Sequence, residues 1–413
     1  MRLHRPLVIA TVKALQEIFF VKNPRQADRV IEQTLKSNKQ WGSRDRAFIA
    51  ETTYEIVRYW RLILFSNNLY EDKLKAPYFW QIVGSWLLIK KRLYPNADNV
   101  DFLPKWEEFS HIQAAKILDR FEEGMLIRKV RESVPDWLDQ LCASELGEEK
   151  WSEEIMAMNE QAPVVLRANT LKTNQDKLQD LLDAIDIETI VPEGLPDALI
   201  LRQRQSIFRT DYFRQGFFEV QDAGSQLIAP FLDVQPGMRV IDACAGAGGK
   251  SLHLAALMEN KGKIVSMDIE EYKLVELMKR AKRNGVDNIE VKLIDPKVLK
   301  KYEASADRLL LDVPCSGLGV IRRNPDSKWK LTPEFIDNLK VTQWNILTEY
   351  SAMLKQGGKM VFATCSLLPS ESENHIKRFM AEFGDQWEFL GERRTSTAKE
   401  GYDGFYMACL QKK

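Results

Sequence analysis

The sequence predicts an α/β protein. A doubly wound, largely parallel sheet occupies the carboxy-terminal half, a small α+β module precedes it, and the amino-terminal third is all helical. Three observations carry this prediction. From Gly216 onward, short runs rich in Val, Ile and Leu alternate with longer amphipathic stretches, as strands do when crossover helices join them. Three of these runs break into turns of small or chemically reactive residues, at the strand ends where open sheets receive ligands. The first 120 residues, by contrast, contain only Gly42 and Gly84, and their apolar residues recur at helical spacing.

A chain of 413 residues with 45% hydrophobic content is long enough for two or three domains with proper cores. Formal charge is zero overall, yet residues 1–100 carry 17 Lys and Arg against 9 Asp and Glu. A basic front suits an anionic partner such as nucleic acid, although a solvated helical surface gives the same count. No apolar run reaches membrane-spanning length, and no signal-cleavage pattern follows the basic start Met1-Arg2-Leu3-His4-Arg5-Pro6. The five cysteines (142, 244, 315, 365, 409) form no CxxC pair, and the four histidines are scattered. Neither a disulfide framework nor a metal site is expected, and the chain reads as cytoplasmic and reduced.

In order, the expected elements are these. Residues 1–125 form a helical bundle: Ile49, Ile56, Trp60 and Ile63, widened by Val57 and Leu64, mark one helix starting near Ser43 or Arg44-Asp45. Trp80, Trp86, Leu87 and Leu93 mark another, punctuated by Tyr94-Pro95-Asn96. Residues 126–215 form the middle module, with a helix opened by Val134-Pro135-Asp136, strands at 163–169 and 198–201, and a helical stripe through Leu178, Leu181, Leu182 and Ile185. A further strand at 217–220 leads into residues 216–413, the large sheet. Its strands are Arg239–Asp242, Lys263–Asp268, Ile289–Leu293, Arg308–Asp312 and Lys359–Thr364, with closing strands near 387–390 and 404–411. A long helix over Pro333–Leu354 is expected to end at Gln356-Gly357-Gly358.

Four constellations carry chemistry. The turn Asp242-Ala243-Cys244-Ala245-Gly246-Ala247-Gly248-Gly249-Lys250-Ser251 brings backbone and helix N-terminal amides close to a ligand. Cys244 stands where a phosphate-binding loop requires glycine, which weakens a nucleotide triphosphatase reading. Asp268 and Asp295 end the second and third strands; the first can accept both hydroxyls of a ribose and the second can reach an adenine edge. Each alone is an ordinary helix cap; jointly they favour S-adenosylmethionine over ATP. Cys315 in Asp312-Val313-Pro314-Cys315-Ser316-Gly317 and Cys365 in Ala363-Thr364-Cys365-Ser366 follow neighbouring strands. A thiolate there can add to carbon 6 of a pyrimidine and make carbon 5 nucleophilic, while Asp312 bonds the base and a second thiol assists proton removal or release. Two inert core cysteines are the plain alternative. Finally Arg322, Arg323, Lys328 and Trp329 gather phosphate-seeking cations and a stacking indole just past Cys315, which reads as an RNA contact.

At these residues the chain resembles the Sun (Fmu) family of RNA cytosine-5 methyltransferases. The matching pieces are Val220-Gln221-Asp222-Ala223-Gly224-Ser225, the Cys244–Lys250 loop, the two cysteine turns and Asp403-Gly404-Phe405-Tyr406, in a stretch from about residue 130 to the end. The resemblance implies a Rossmann-like methyltransferase sheet and an RRM-like middle module. It implies Cys365 as nucleophile, Cys315 as the thiol of product release, and donor contacts from Cys244–Lys250, Asp268, Asp295 and Asp312, with Lys250 also facing the base. The front resembles the helical NusB-like RNA-binding domain of the bacterial rRNA members through Gly42-Ser43-Arg44-Asp45-Arg46-Ala47-Phe48 and Val57-Arg58. Gly246 and Ala247 replace the family's Ala-Pro, and Lys273 replaces an Arg. The implied protein is a monomer that methylates small-subunit rRNA. The rivals are a tRNA methyltransferase and a non-catalytic RNA-binding assembly factor, the latter favoured by Ala247.

Overall fold

The computed structural model describes residues 3–21, 25–95 and 103–413, so Met1-Arg2 and the Asn96 of the expected punctuation lie outside the described residues. The chain forms two compact units: residues 1–159 with 321–331, and residues 160–320 with 332–413.

The first unit is helical. Its core gathers Leu15, Ile18, Trp60, Ile63, Phe79 and Trp86, all essentially without solvent exposure, and Phe19 stacks on Trp60 with ring centroids 3.9 Å apart. The helix Ser43–Arg58 starts as its sequence suggests, with Asp45 accepting the Gly42 amide at 3.1 Å. The stripe read as one helix is two, Ser43–Arg58 and Trp60–Ser66, broken at Tyr59. The reason is tertiary: the Leu62 amide donates to Ser133 Oγ at 3.0 Å, leaving the Arg58 carbonyl to another donor.

That donor is Lys328, whose Nζ bonds the carbonyls of Arg58 at 2.9 Å and Glu132 at 3.3 Å. Beside it Trp329 Nε1 donates to the Val57 carbonyl at 2.8 Å, the Arg322 carbonyl accepts from Arg58 Nη2, and Asp326 accepts the Ala27 amide at the start of the helix Ala27–Ser37. Lys328 is 0% exposed and Arg322 is buried. Burial, reinforced by the Arg58 charge and opposed by Glu132, holds the Lys328 amine well below its ordinary pKa. Arg322 and Lys328, expected at an RNA contact, are instead withdrawn from solvent, and with the half-buried Trp329 they fasten residues 321–331 into the helical unit. Two helices within the expected middle module also pack here. The helices Asp136–Leu146 and Glu148–Met158 belong to this unit, where the Val134 carbonyl accepts from Arg61 and Asn159 donates to Glu132. Trp329→Ala removes an indole and its hydrogen bond together. It should lower the stability of the helical unit by about 3 kcal/mol, read from denaturant unfolding.

The second unit holds two sheets. The smaller is antiparallel, built from β1 (Val165–Ala168), β2 (Thr189–Ile190), β3 (Ala198–Leu201) and β4 (Phe218–Val220) in the order β2-β3-β1-β4. The sequence had not suggested the two-residue β2.

The larger has seven strands: β5 (Arg239–Asp242), β6 (Lys263–Asp268), β7 (Ile289–Leu293), β8 (Ala306–Asp312), β9 (Leu354–Thr364), β10 (Trp387–Arg394) and β11 (Tyr406–Lys412). Their order is β10-β11-β9-β8-β5-β6-β7, parallel from β9 to β7, with β11 inserted antiparallel. The helix expected over Pro333–Leu354 stops at Tyr350, and β9 begins at Leu354, ahead of the two glycines. Leu354 pairs with Ala306, the register shifts at the glycines, and pairing resumes at Lys359 opposite Arg308. Apolar side chains fill both faces of the sheet: Val240, Leu310 and Val361 on one, Ile241, Leu309, Leu311 and Phe362 on the other.

Candidate active site

The carboxyl ends of β5, β6, β8 and β9 bring the reactive residues together. β8 and β9 are hydrogen-bonded neighbours with Asp312 opposite Ala363, so the turns that follow them run side by side. Cys315 Sγ and Cys365 Sγ lie 3.2 Å apart as free, partly exposed thiols. The close approach needs Gly319, whose amide donates to the Cys365 carbonyl at 2.8 Å; a Cβ there would fall 1.8 Å from the Gly404 carbonyl oxygen. The hydrogen bond with Cys365, then burial, then the negative charge of Cys365 and Glu371 push the Cys315 thiol well up. Cys315 thus keeps its proton, and either sulfur can be the donor in the contact between them.

Lys250 Nζ donates to Asp312 Oδ2 at 2.5 Å and lies 5.4 Å from the centre of the Phe405 ring. Burial works against the ammonium charge, but Asp312 and, behind it, Cys365 more than offset this and raise its pKa. The lysine therefore keeps its charge at the edge of the thiols.

The glycine-rich turn leaves β5 at Asp242 and enters the helix Gly249–Leu257. Asp242 is fully buried; Oδ2 accepts from Ser251 Oγ at 2.6 Å, and burial pushes its carboxyl up to about 7. Burial and the surrounding acids Asp242, Asp312 and Asp268 raise the Cys244 thiol well above its usual range, which leaves it a poor nucleophile. Asp268, nearly buried at the end of β6, accepts the Gly246 amide on Oδ2 and the Glu270 amide on Oδ1, each at 2.9 Å. Lys273 Nζ sits 3.6 Å from the same carboxylate. Asp295 is exposed and caps the helix Pro296–Lys301 through the Val298 amide.

The residues around this turn fit S-adenosylmethionine. A Cβ on Gly246 or Gly249 would meet nothing within 4 Å, so open space lies over the turn, and Ala245 and Ala247 add little bulk. Ile269, directly after Asp268, is 70% exposed, an apolar platform beside the acid that the sequence reading missed. An exposed isoleucine after a strand-end acid was the available signal.

The sequence reading also missed the braces behind the turn. Arg280 Nη1 donates to the Ala247 carbonyl at 2.8 Å and pairs with Glu219 of β4, which also holds Arg283 and Asn284. Arg167 of β1 donates to the Gly249 carbonyl at 2.8 Å. The small sheet thus buttresses the turn from two sides. Nor does the sequence reading give Glu371, six residues past Cys365, any role. It is wholly buried, and its carboxylate reaches the residue after each cysteine. Of the four residues expected to touch RNA, Arg322 and Lys328 are buried, while Arg323 and Trp329 keep partial exposure, the latter with its indole N–H donated to the Val57 carbonyl.

A doubly wound sheet with an adenosyl-type acid, an open glycine-rich turn and two converging thiols defines a class: an S-adenosylmethionine-dependent methyltransferase. The comparisons with known proteins narrow it. The family profile "16S rRNA methyltransferase RsmB/F" matches residues 229–411, and a ferredoxin-like domain of RsmF/B-like methyltransferases matches residues 134–208. The chain is 34% identical over 300 residues to a probable ribosomal RNA small subunit methyltransferase B of Synechocystis, covering 68% of this chain and 67% of that one. It is 28% identical to the probable counterpart of Bacillus subtilis, over 95% and 96% of the two chains. A solved methyltransferase homologue from Pyrococcus horikoshii shares 27% identity at a TM-score of 0.63 over 70% of this chain and 99% of that one. The crystal structure of PH0851 covers both chains fully at a TM-score of 0.82 and 22% identity, a likeness of fold. The chain belongs to the RsmB/F methyltransferase family, whose members are S-adenosylmethionine-dependent RNA cytosine-5 methyltransferases, and it is an enzyme of that kind.

Among the described residues no group of His, Cys, Asp and Glu is placed to hold a metal ion, and no helix is long and apolar enough to cross a membrane.

Proposed function

We propose that the protein methylates carbon 5 of a cytosine in 16S rRNA through a covalent adduct on Cys365. The observation that carries this reading is the 3.2 Å approach of Cys365 to a second thiol, Cys315, whose pKa is raised, beside the hydrogen-bonded Lys250 and Asp312. S-adenosylmethionine, when bound, supplies an electrophilic methyl group. Cys244 to Lys250 would hold it along their backbone, with Asp268 on the ribose hydroxyls, Ile269 against the adenine and Asp295 at the adenine edge.

The chain's own residues account for the remaining chemistry. The Cys365 thiolate forms a bond to ring carbon 6, and the electron pair of the 5,6 double bond becomes available at carbon 5. Asp312 and Lys250 hold the base and compensate charge developing on its ring. Once the Cys365 sulfur is bonded to carbon it loses its negative charge. Two of the causes that kept Cys315 protonated then vanish together. Cys315 gives its proton to water, and its thiolate takes the proton from carbon 5; the double bond re-forms and the carbon–sulfur bond breaks, returning the Cys365 thiolate.

RNA contact is assigned to the basic helical unit and to Arg323. Arg204 and Arg209, both exposed and within four residues of the 57% exposed Phe208, offer cations near an open aromatic ring in the sequence of the second unit. The protein is assigned as a monomer of the cytoplasm, where two thiols at this separation stay reduced. Bisulfite sequencing of small-subunit rRNA from cells with and without the protein tests the reading. One cytosine should lose its protection in the deleted strain; an unchanged pattern overturns the rRNA assignment.

Asp268→Asn tests the donor site. Its carboxylate organises two backbone amides and is proposed to accept the ribose hydroxyls, so weakening of donor binding by about 10- to 100-fold is expected in calorimetry with S-adenosylmethionine. Undiminished affinity would remove Asp268 from the site.

A further inference from the structure

Each active-site cysteine is followed by a serine, and both serines end on one carboxylate. Glu371 Oε1 accepts the Ser316 amide and Gln343 Nε2, both at 2.9 Å. Glu371 Oε2 accepts the hydroxyls of Ser316 and Ser366, each at 2.5 Å, and those two oxygens lie 3.1 Å from each other. Gln343 Nε2 also donates to the Pro314 carbonyl at 2.9 Å, immediately before Cys315. Four donors thus converge on a side chain with no solvent exposure. A carboxylate offers about four lone-pair sites, so the ionised form is matched donor for acceptor.

We infer that Glu371 is a positioning residue of the methyl-transfer reaction: it pins the two cysteine turns to each other and, by its charge, keeps the proton on Cys315 so that the thiolate forms on Cys365. The inference rests on the two-cysteine reading above and deepens it. The geometry supplies the first half. Ser316 and Ser366 are covalently adjacent to the thiols, so the clamp fixes the separation between the sulfurs. Electrostatics supplies the second. The charged groups around the thiols are Lys250 and Asp312 from the glycine-rich turn and β8, Glu371 from the turn after β9, and Arg394 of β10. Arg394 is paired with Glu373 and donates to the Ser366 carbonyl at 2.8 Å. His375 meets Glu371 only through Gln343, whose Oε1 it contacts at 3.0 Å. Lys250 acts on Cys365 and Glu371 on Cys315, so cation and anion are divided between the two sulfurs.

Glu371→Gln separates clamp from charge. Its carbonyl can face the obligatory donors, Ser316 N–H and Gln343, while the two hydroxyls rotate to accept from the new amide. Alkylation by iodoacetamide, followed for each cysteine by mass spectrometry across pH without RNA, is the primary readout. Cys365 should react well ahead of Cys315 in the native enzyme, and the variant should lose this preference by on the order of tenfold, one pKa unit. Methyl-transfer turnover should fall with it, while donor affinity stays unchanged. Native selectivity with native turnover overturns the inference; so does a turnover loss matched by loss of donor binding and of melting temperature, the mark of a merely structural residue. Ser366→Ala, which leaves the charge in place, covers the case in which Glu371→Gln does not fold. It should retain the alkylation preference and lose turnover; retained turnover overturns the clamp. Because alkylation needs no substrate, its failure is separable from failure of the covalent-adduct reading, which Cys365→Ala tests alone.

Discussion

Cys365→Ala should reduce methyl transfer to RNA to the uncatalysed background, a loss on the order of 10⁴-fold or more, as removal of a covalent nucleophile typically does. The physical reason is that carbon 5 of a cytosine does not attack a methyl group until carbon 6 has received an electron pair. In the proposed reaction Cys365 is the sulfur that delivers it. Cys315 does not substitute, since its thiol is pushed up by the neighbouring sulfur, by burial and by Glu371. Removing Cys365 relieves part of that effect, but burial and the Glu371 charge stay, and the Lys250 charge faces the vacated position. Cys244 does not substitute either, because burial and three carboxylates hold it neutral. Transfer of labelled methyl groups measures the loss. Calorimetry should show donor binding within about threefold of native, because Cys365 lies outside the glycine-rich turn. Substantial turnover by the alanine variant would end the assignment of Cys365.

Cys315→Ala should show the opposite behaviour. Addition of Cys365 to the base and methylation of carbon 5 need no proton acceptor at Cys315, so the first half of the reaction proceeds. Departure of the Cys365 sulfur requires the proton on carbon 5 to leave, and with Cys315 gone no thiol remains at 3.2 Å from Cys365 to take it. A protein–RNA species stable to denaturing electrophoresis should accumulate to near one equivalent per enzyme, with multiple turnover lost by on the order of 10³-fold. Adding Cys365→Ala to this variant should abolish the retarded band. A Cys315→Ala enzyme that turns over without a trapped species would assign release to another group.

The strands of the large sheet were legible because buried parallel strands are near-continuous apolar runs, and Val240-Ile241 or Leu309-Leu310-Leu311 read the same in isolation as in the core. The helix Pro333–Tyr350 was found and its end misplaced. Gln356-Gly357-Gly358 looks like a helix stop, yet these residues interrupt a strand whose pairing with β8 has already begun at Leu354. A register of that kind is set by the partner strand.

The sequence alone brought out the groups proposed for the chemistry. Cys315, Cys365, Asp312, Lys250 and Asp268 are local in character: each lies at the end of an apolar run or in the turn after it, and parallel strands deliver such positions to one edge of a sheet. What only the tertiary structure decided is how the remaining charged residues are used. Lys328 has the look of a solvated cation, yet its partners are carbonyls 270 and 196 residues away. Glu371 has the look of a surface acid in a serine-rich turn, yet it joins serines 55 and 5 residues distant. A long polar side chain is soluble or buried according to which donors and acceptors the fold brings within about 3 Å, and sequence spacing carries no record of that approach.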